Sequence, residues 1–293
     1  MQLFVNDLTV MDFSYLCPER GMVGESWIVD VELDGDLNEE SMIQDFAIVK
    51  KQLKSLIDQY VDHKLLIPVE HEFTKVVRDL PDELVRVDFV RPEQKSIHLT
   101  CPADAYAFIY ANTITMTSVG EYLQDILAIH LPNNVAGINL SLRTEHIPTA
   151  FYHYTHGLKK HDGNCQRIAH GHRSKIHIYY NDQIQPEAEA HWASRWADIY
   201  IGTREDEVKC EQLSQHYPEI SDATHFAFRY TASQGDFELA IPRSECEVIE
   251  LDTTVECLAQ YVLNEEQARS GQAKVTVMAF EGVGKGAKIS TLN

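Results

Sequence analysis

One order of segments occurs twice in this 293-residue chain, and that duplication narrows the folds open to it. The first half opens with strand-like runs over residues 3–11 and 26–33, separated by a stretch that holds Pro18, Gly21 and Gly24. In the second run Trp27, Val29, Val31 and Leu33 share one face while Ser26, Asp30 and Glu32 take the other, the period-two pattern of a strand with one buried side. Asp45 then stands as a helix N-cap, and Phe46, Val49, Leu53, Leu56, Ile57 and Tyr60 fall on one helical stripe. Strand-like LVRVDFV and KSIHLTC, helical VGEYLQDILAIHL and strand-like AGINLSL complete the half, which ends at Glu145. The second half runs TAFYHYTH, HGHRSKIHIYY, a segment around HWASRWADIYIG, THFAFRYTA, DFELAIP, helical TTVECLAQYVL and strand-like KVTVMAFE, ending at Glu281. Pro148 punctuates the junction, so two units are expected, 1–147 and 148–293.

Charge excludes some partners. With 25 Lys+Arg against 45 Asp+Glu the chain carries −20, and it shows no basic patch of any length, so neither nucleic acid nor an anionic membrane is an expected partner. No apolar run reaches membrane-spanning length. The start MQLFVNDLTVMDF lacks the form of a signal peptide, and a cytoplasmic location is the expectation. The six cysteines form no CxxC pair and are expected to be reduced thiols.

Three of the 14 histidines form a constellation. His170 and His172 are two apart on a strand, so both point to one face, the face continued by Ser174, Ile176, Ile178 and Tyr180. His156 ends the preceding strand and can lie across from them. Three converging imidazoles suit Zn²⁺ and leave a fourth position for water or substrate. The bland alternative is a set of hairpin histidines with hydrogen-bond duties, since His153, His161 and His177 lie close by. Cys165 precedes the pair, and a thiol beside a metal or imidazolium can act as base or nucleophile.

His156-Gly157-Leu158, Cys165 and His170-Gly171-His172 together resemble the His…Cys…His-Gly-His signature of the 6-pyruvoyltetrahydropterin synthase superfamily, which includes the bacterial 6-carboxytetrahydropterin synthases of queuosine biosynthesis. In the first half, Met42-Ile43-Gln44-Asp45-Phe46 and Asp62-His63-Lys64-Leu65-Leu66 resemble the same family's helix and the Asp-His pair after it. Glu145 and Glu281 each end a last strand, as the family's pterin-anchoring glutamate does. The halves differ in what they keep. The first has Ser14, Val23 and Glu25 where the metal signature is expected. The second has Asp236-Phe237-Glu238-Leu239-Ala240-Ile241-Pro242 set against residues 62–68, with Phe237 in place of the histidine.

The resemblance implies an α+β protein of two tandem tunnelling-fold units, each an antiparallel four-stranded sheet with helices on one face. It implies a lyase acting on 7,8-dihydroneopterin triphosphate. Zn²⁺ on His156, His170 and His172 would acidify side-chain hydroxyls, Cys165 would move a proton, Asp62 would orient His63 as a relay, and Glu145 or Glu281 would hold the pterin ring. Lys159, Lys160 and Arg167 could meet the triphosphate. The family's interface-built sites imply a composite site that draws on both halves, and a homo-oligomer such as a trimer of tandem chains. A non-catalytic pterin- or purine-binding protein on the same fold is the alternative reading.

Overall fold

The computed structural model describes residues 1–78, 80–160 and 167–291. In the first half β1 (Gln2–Cys17) and β2 (Gly21–Gly35) form a long antiparallel hairpin, so the turn is tighter than expected and Gly24 lies inside a strand. Gly21 starts β2 at φ +86°, a conformation that favours glycine. Helix α1 (Phe46–Tyr60) starts where the sequence puts it: the Asp45 carboxylate accepts from the Ala47 and Ile48 amides. Val49, Leu53 and Ile57 then face the sheet. Next come β3 (Leu65–Pro68), β4 (Thr74–Val77), β5 (Leu84–Phe89), β6 (Ile97–Pro102), β7 (Tyr106–Ile109), α2 (Met116–Ala128) and β8 (Val135–Thr144).

The second half repeats the plan. It consists of β9 (Phe151–His156), β10 (His170–Tyr180), the short β11 (Gln183–Ile184), α3 (Pro186–Arg195), β12 (Ile199–Thr203), β13 (Glu207–Val208), β14 (His225–Ala232), β15 (Gly235–Pro242), β16 (Cys246–Ile249), α4 (Val255–Ser270), β17 (Val275–Phe280) and β18 (Gly286–Ser290). No helix among the described residues is long and apolar enough to cross a membrane.

The tandem α+β architecture is as expected, with larger sheets. The first runs β7-β3-β1-β2-β8 and the second β16-β12-β9-β10-β17-β18, with β11 against β10. The central strands are antiparallel, but β3 and β7, like β12 and β16, add in parallel. A parallel pair needs a long crossover, and here the crossover is itself a run of strands. Strands β4 to β6 leave between β3 and β7, and β13 to β15 leave between β12 and β16. The two excursions pair with each other through β6 and β15, giving one shared sheet, β13-β14-β15-β6-β5-β4.

This topology corrects one expected correspondence. Residues 236–242 lie in β15, which pairs with β6, so their partner in the repeat is 96–102. The true counterpart of 62–68 is 197–203. Leu66 lies beside Tyr15 on β3, and Ile201 lies beside His156 on β12. His63 at φ 58° and Asp198 at φ 55° then occupy equivalent left-handed positions. The shared Ile-Pro ending of residues 62–68 and 236–242 makes the two strings alike without making them equivalent.

Both two-stranded centres are packed on each other. Ser14 Oγ meets Thr155 Oγ1 at 2.8 Å, and the two are equivalent by register, because Ser14 pairs with Gly24 and Thr155 with Gly171. A Cβ built on Gly171 would lie 2.6 Å from Gly24 Cα. Equivalent residues therefore meet, as they do across a two-fold axis. The core of the shared sheet (Val87, Leu99, Phe228 and Leu239 among others) also takes in Leu65, Ile168 and Ala169. That core thus fixes the chain just after His63 and just before His170.

Candidate metal centre

His156 closes β9 and lies directly across from His170 on β10, with His172 two residues further along. All three side chains are buried, at 0–1 % exposure. Their rings cluster with centroids 4.4, 5.1 and 5.5 Å apart. His156 Nε2 and His172 Nε2 are 3.4 Å apart. Zinc bound tetrahedrally at 2.0–2.1 Å holds its donors about 3.3 Å apart, so this spacing suits a shared ion. Glu281, just past β17, brings Oε1 to 3.6 Å from His172 Nε2. One donor atom from each of His156, His170, His172 and Glu281 can be chosen so that all lie within 4.8 Å of one another. Burial drives His156 and His170 well below the usual histidine range, which keeps both imidazoles neutral and able to ligate. His156 Nδ1, His170 Nδ1 and His172 Nδ1 find no hydrogen-bond partner among the described residues. Buried, convergent and N₃O in composition, the residues fit a divalent metal of the zinc type.

The first half reaches this group. Asp62 Oδ2 is 2.8 Å from His63 Nδ1, and the His63 ring lies 5.1 Å from that of His170, centroid to centroid. Asp62 Oδ1 accepts from the Asp12 amide at 2.7 Å, and the His63 amide donates to Asp12 O at 2.8 Å. The Asp-His pair is thereby anchored on β1, and one chain brings the pair and the histidines together. Cys165 lies outside the described residues.

Glu145 and Glu281 part company. Glu145 accepts from Lys175 Nζ at 2.6 Å, and its backbone carbonyl accepts from Arg173. Glu281, by contrast, lies at the histidines. The three basic residues expected near a triphosphate are already paired. Lys159 holds Asp206 and Glu205, Lys160 holds Asp252 and Glu205, and Arg167 holds Asp104.

In the first half the residue opposite Val23 is Tyr15, so the position expected to be Ser14 is Tyr15. Arg20 makes a two-pronged pair with Asp198 at 2.9 and 2.5 Å and also donates to the Tyr15 hydroxyl at 3.2 Å. Glu25 stands where His172 stands in the other half. Burial pushes its carboxyl up to about 7 and holds the neighbouring His153 down to about 4. His153 donates to Gly24 O at 2.8 Å instead of forming an ion pair. A carboxyl raised in the folded state favours folding below its unfolded value of 4.5 and loses that contribution as pH rises through about 7. Glu25→Gln is therefore expected to stabilise the protein by about 2–3 kcal/mol at pH 8 and by almost nothing at pH 4. Denaturant melts at both pH values check this; a loss of stability at pH 8 overturns it.

Three residues of the centre escaped sequence reading: Asp12, Ser26 and Lys285. Asp12 Oδ1 lies 3.2 Å from His172 Nδ1, Ser26 Oγ donates to the same oxygen at 2.5 Å, and Lys285 Nζ lies 2.9 Å from Oδ2. The signal available was a carboxylate inside the apolar run Val10-Met11-Asp12-Phe13. Lys285 follows a glycine-rich stretch and carried no signal.

Comparison with known proteins bears on the identity of this site. Residues 17–147 match the family model of 6-pyruvoyl tetrahydropterin synthase. A Pyrococcus horikoshii protein, provisionally named a 6-carboxy-5,6,7,8-tetrahydropterin synthase, is 29% identical over 132 residues, covering 45% of this chain and 74% of its own. Among solved structures, the 6-pyruvoyltetrahydropterin synthase of Plasmodium vivax aligns with TM-score 0.40 and 15% identity over 51% of this chain and 93% of its own. The Plasmodium falciparum synthase aligns with TM-score 0.39 and 13% identity over 48% and 90%. The sequence matches make residues 17–147 similar to the 6-pyruvoyl and 6-carboxytetrahydropterin synthases, and the element order of that half occurs a second time in the chain.

Proposed function

We propose that the chain is a tandem member of this superfamily and a lyase of the 6-pyruvoyl or 6-carboxytetrahydropterin synthase type, acting on 7,8-dihydroneopterin triphosphate at one composite site per chain. The observation that carries this reading is the meeting of Asp62-His63 from one half with His156, His170 and His172 from the other.

The three histidines would hold Zn²⁺, which supplies Lewis acidity to the substrate's side-chain hydroxyls. Asp62 accepts from His63 Nδ1–H, fixing the tautomer that leaves Nε2 as the working nitrogen, and favours the charged ring once a proton arrives. His63 Nε2 is then a relay that takes and returns a proton at the pterin side chain. Cys165 is proposed as the thiolate that moves the carbon-bound proton. Glu281, at the centre and partly exposed, is proposed to accept paired N–H bonds from the ring; Glu145, engaged by Lys175, is not. The buried neutral histidines exclude bulk water from the reacting side chain. We also propose that chains associate into rings through free sheet edges such as β8; a stable monomer in light scattering at working concentration would overturn that.

His63→Ala and Asp62→Asn are expected to slow turnover about 10²- to 10⁴-fold with metal content unchanged. The measurement is product formation from dihydroneopterin triphosphate, with zinc analysis of each variant. Wild-type turnover kept by both variants would remove the relay. One observation favours the non-catalytic reading: Glu281 lies where it could instead serve as a fourth protein donor, and four protein ligands are the closed, structural arrangement. Saturable pterin binding without product would select it.

A further inference from the structure

We propose that Asp12, a residue of the first half, is the positioning carboxylate of the second half's metal ligand His172, and that Ser26 and Lys285 hold Asp12 in that role. This rests on reading the histidine group as a metal centre.

A ligating imidazole must present one nitrogen to the metal, and the partner of its other nitrogen decides which one. His172 Nε2 faces His156 Nε2 and Glu281, so Nδ1 must carry the proton. Asp12 Oδ1 lies 3.2 Å from Nδ1, an ion-pair distance. Asp12 is 2 % exposed, and a carboxylate so buried is costly unless its oxygens are engaged. Each is: Ser26 Oγ donates to Oδ1 at 2.5 Å and Lys285 Nζ pairs with Oδ2 at 2.9 Å. Gly282 closes over this arrangement. It sits at φ +71°, and a Cβ there would lie 2.4 Å from Asp12 Oδ1 and 2.8 Å from Ser26 Oγ. The backbone on either side of the carboxylate is fixed as well, because the Asp12 amide and carbonyl bind Asp62 and His63.

Three segments thus converge on one carboxylate whose free face meets a metal ligand. All three Nδ1 atoms lack an aligned hydrogen bond among the described residues, and at His172 the Asp12 carboxylate stands 3.2 Å away, within ion-pair reach of Nδ1. The consequence is unusual for a duplicated chain. The half without metal ligands sets the metal affinity of the other half.

The test measures the zinc dissociation constant by competition with a chromophoric chelator, alongside the melting temperature of each metal-free protein. Asp12→Ala is expected to weaken zinc about 10- to 100-fold, and Asp12→Asn, which keeps an oxygen for Nδ1–H, about tenfold. Ser26→Ala, a mild change if Asp12→Ala fails to fold, is expected to weaken zinc about twofold to fivefold. Asp88→Asn is the control: Asp88 is also buried and 2.9 Å from a histidine, but in the shared sheet, so it should lower melting without moving zinc affinity. A cobalt-loaded sample should show altered d–d bands for Asp12→Asn and unaltered bands for Asp88→Asn. Zinc affinity within twofold of wild type in folded Asp12→Asn and Ser26→Ala overturns the proposal. Failure of the underlying reading looks different: wild-type protein whose metal content is untouched by His170→Ala.

Discussion

His170→Ala and His172→Ala will each leave the purified protein without stoichiometric metal, while the wild type carries one ion per chain. The proposed donors are the buried imidazoles of His156, His170 and His172, with Glu281 within reach of the same point. Zinc sites of four ligands bind with about 10–16 kcal/mol, so each ligand accounts for about 3 kcal/mol, roughly two orders of magnitude in affinity. A metal present at a thousand times its dissociation constant also stabilises the fold by about 4 kcal/mol, and a variant that binds none forgoes that term. Two readouts should therefore move together: metal content and melting temperature. Chelator treatment should lower the melting of the wild type toward that of His170→Ala and change the variant little. Full metal content in both variants would remove the site, whatever their activity.

The second large effect is on stability and lies where the halves meet. Gly24→Ala is expected to destabilise the protein by about 3 kcal/mol or more, the upper range for overpacking. The new Cβ would lie 1.9 Å from Tyr154 O and 2.6 Å from His172 N, and both are backbone atoms that no rotamer change can move aside. Gly171→Ala meets Tyr154 O at 2.4 Å and Gly24 Cα at 2.6 Å, so it should act alike. Either substitution must push the two hairpins apart, and His172 belongs to one of them. Zinc affinity should fall along with stability. Gly137→Ala is the contrast, since a Cβ there meets nothing within 4 Å, and a strand alanine in open space is expected to be neutral or stabilising by about 0.5–1 kcal/mol. Equal stability for Gly24→Ala and Gly137→Ala would contradict the packing described.

Reading the sequence succeeded where a local rule fixes the outcome. Alternation put His170 and His172 on one face, and both are buried there. The Asp45 cap and the Val49, Leu53 and Ile57 stripe gave α1 its start and its buried side. Reading failed where two similar strings competed. Asp236 to Pro242 resembles Asp62 to Pro68, and only strand pairing shows that the first belongs with β6 and the second with β12. A one-residue error in placing Tyr15 arose in the same way, since register depends on the partner strand.

By itself the sequence determined that one order of segments occurs twice and that His170 and His172 share a face with His156 within reach, because short-range periodicity decides which side chains share a face. The metal reading of those histidines and the role of Asp62-His63 came from the resemblance to a known family. The tertiary structure decided everything that needs two distant segments to be neighbours. It linked the copies through a shared sheet, set His63 against His170, separated Glu281 from Glu145, and placed Asp12 behind His172. Residues 12 and 172 are 160 positions apart, and nothing local couples them; only the close approach allowed by Gly24 and Gly171 brings that carboxylate to that ring.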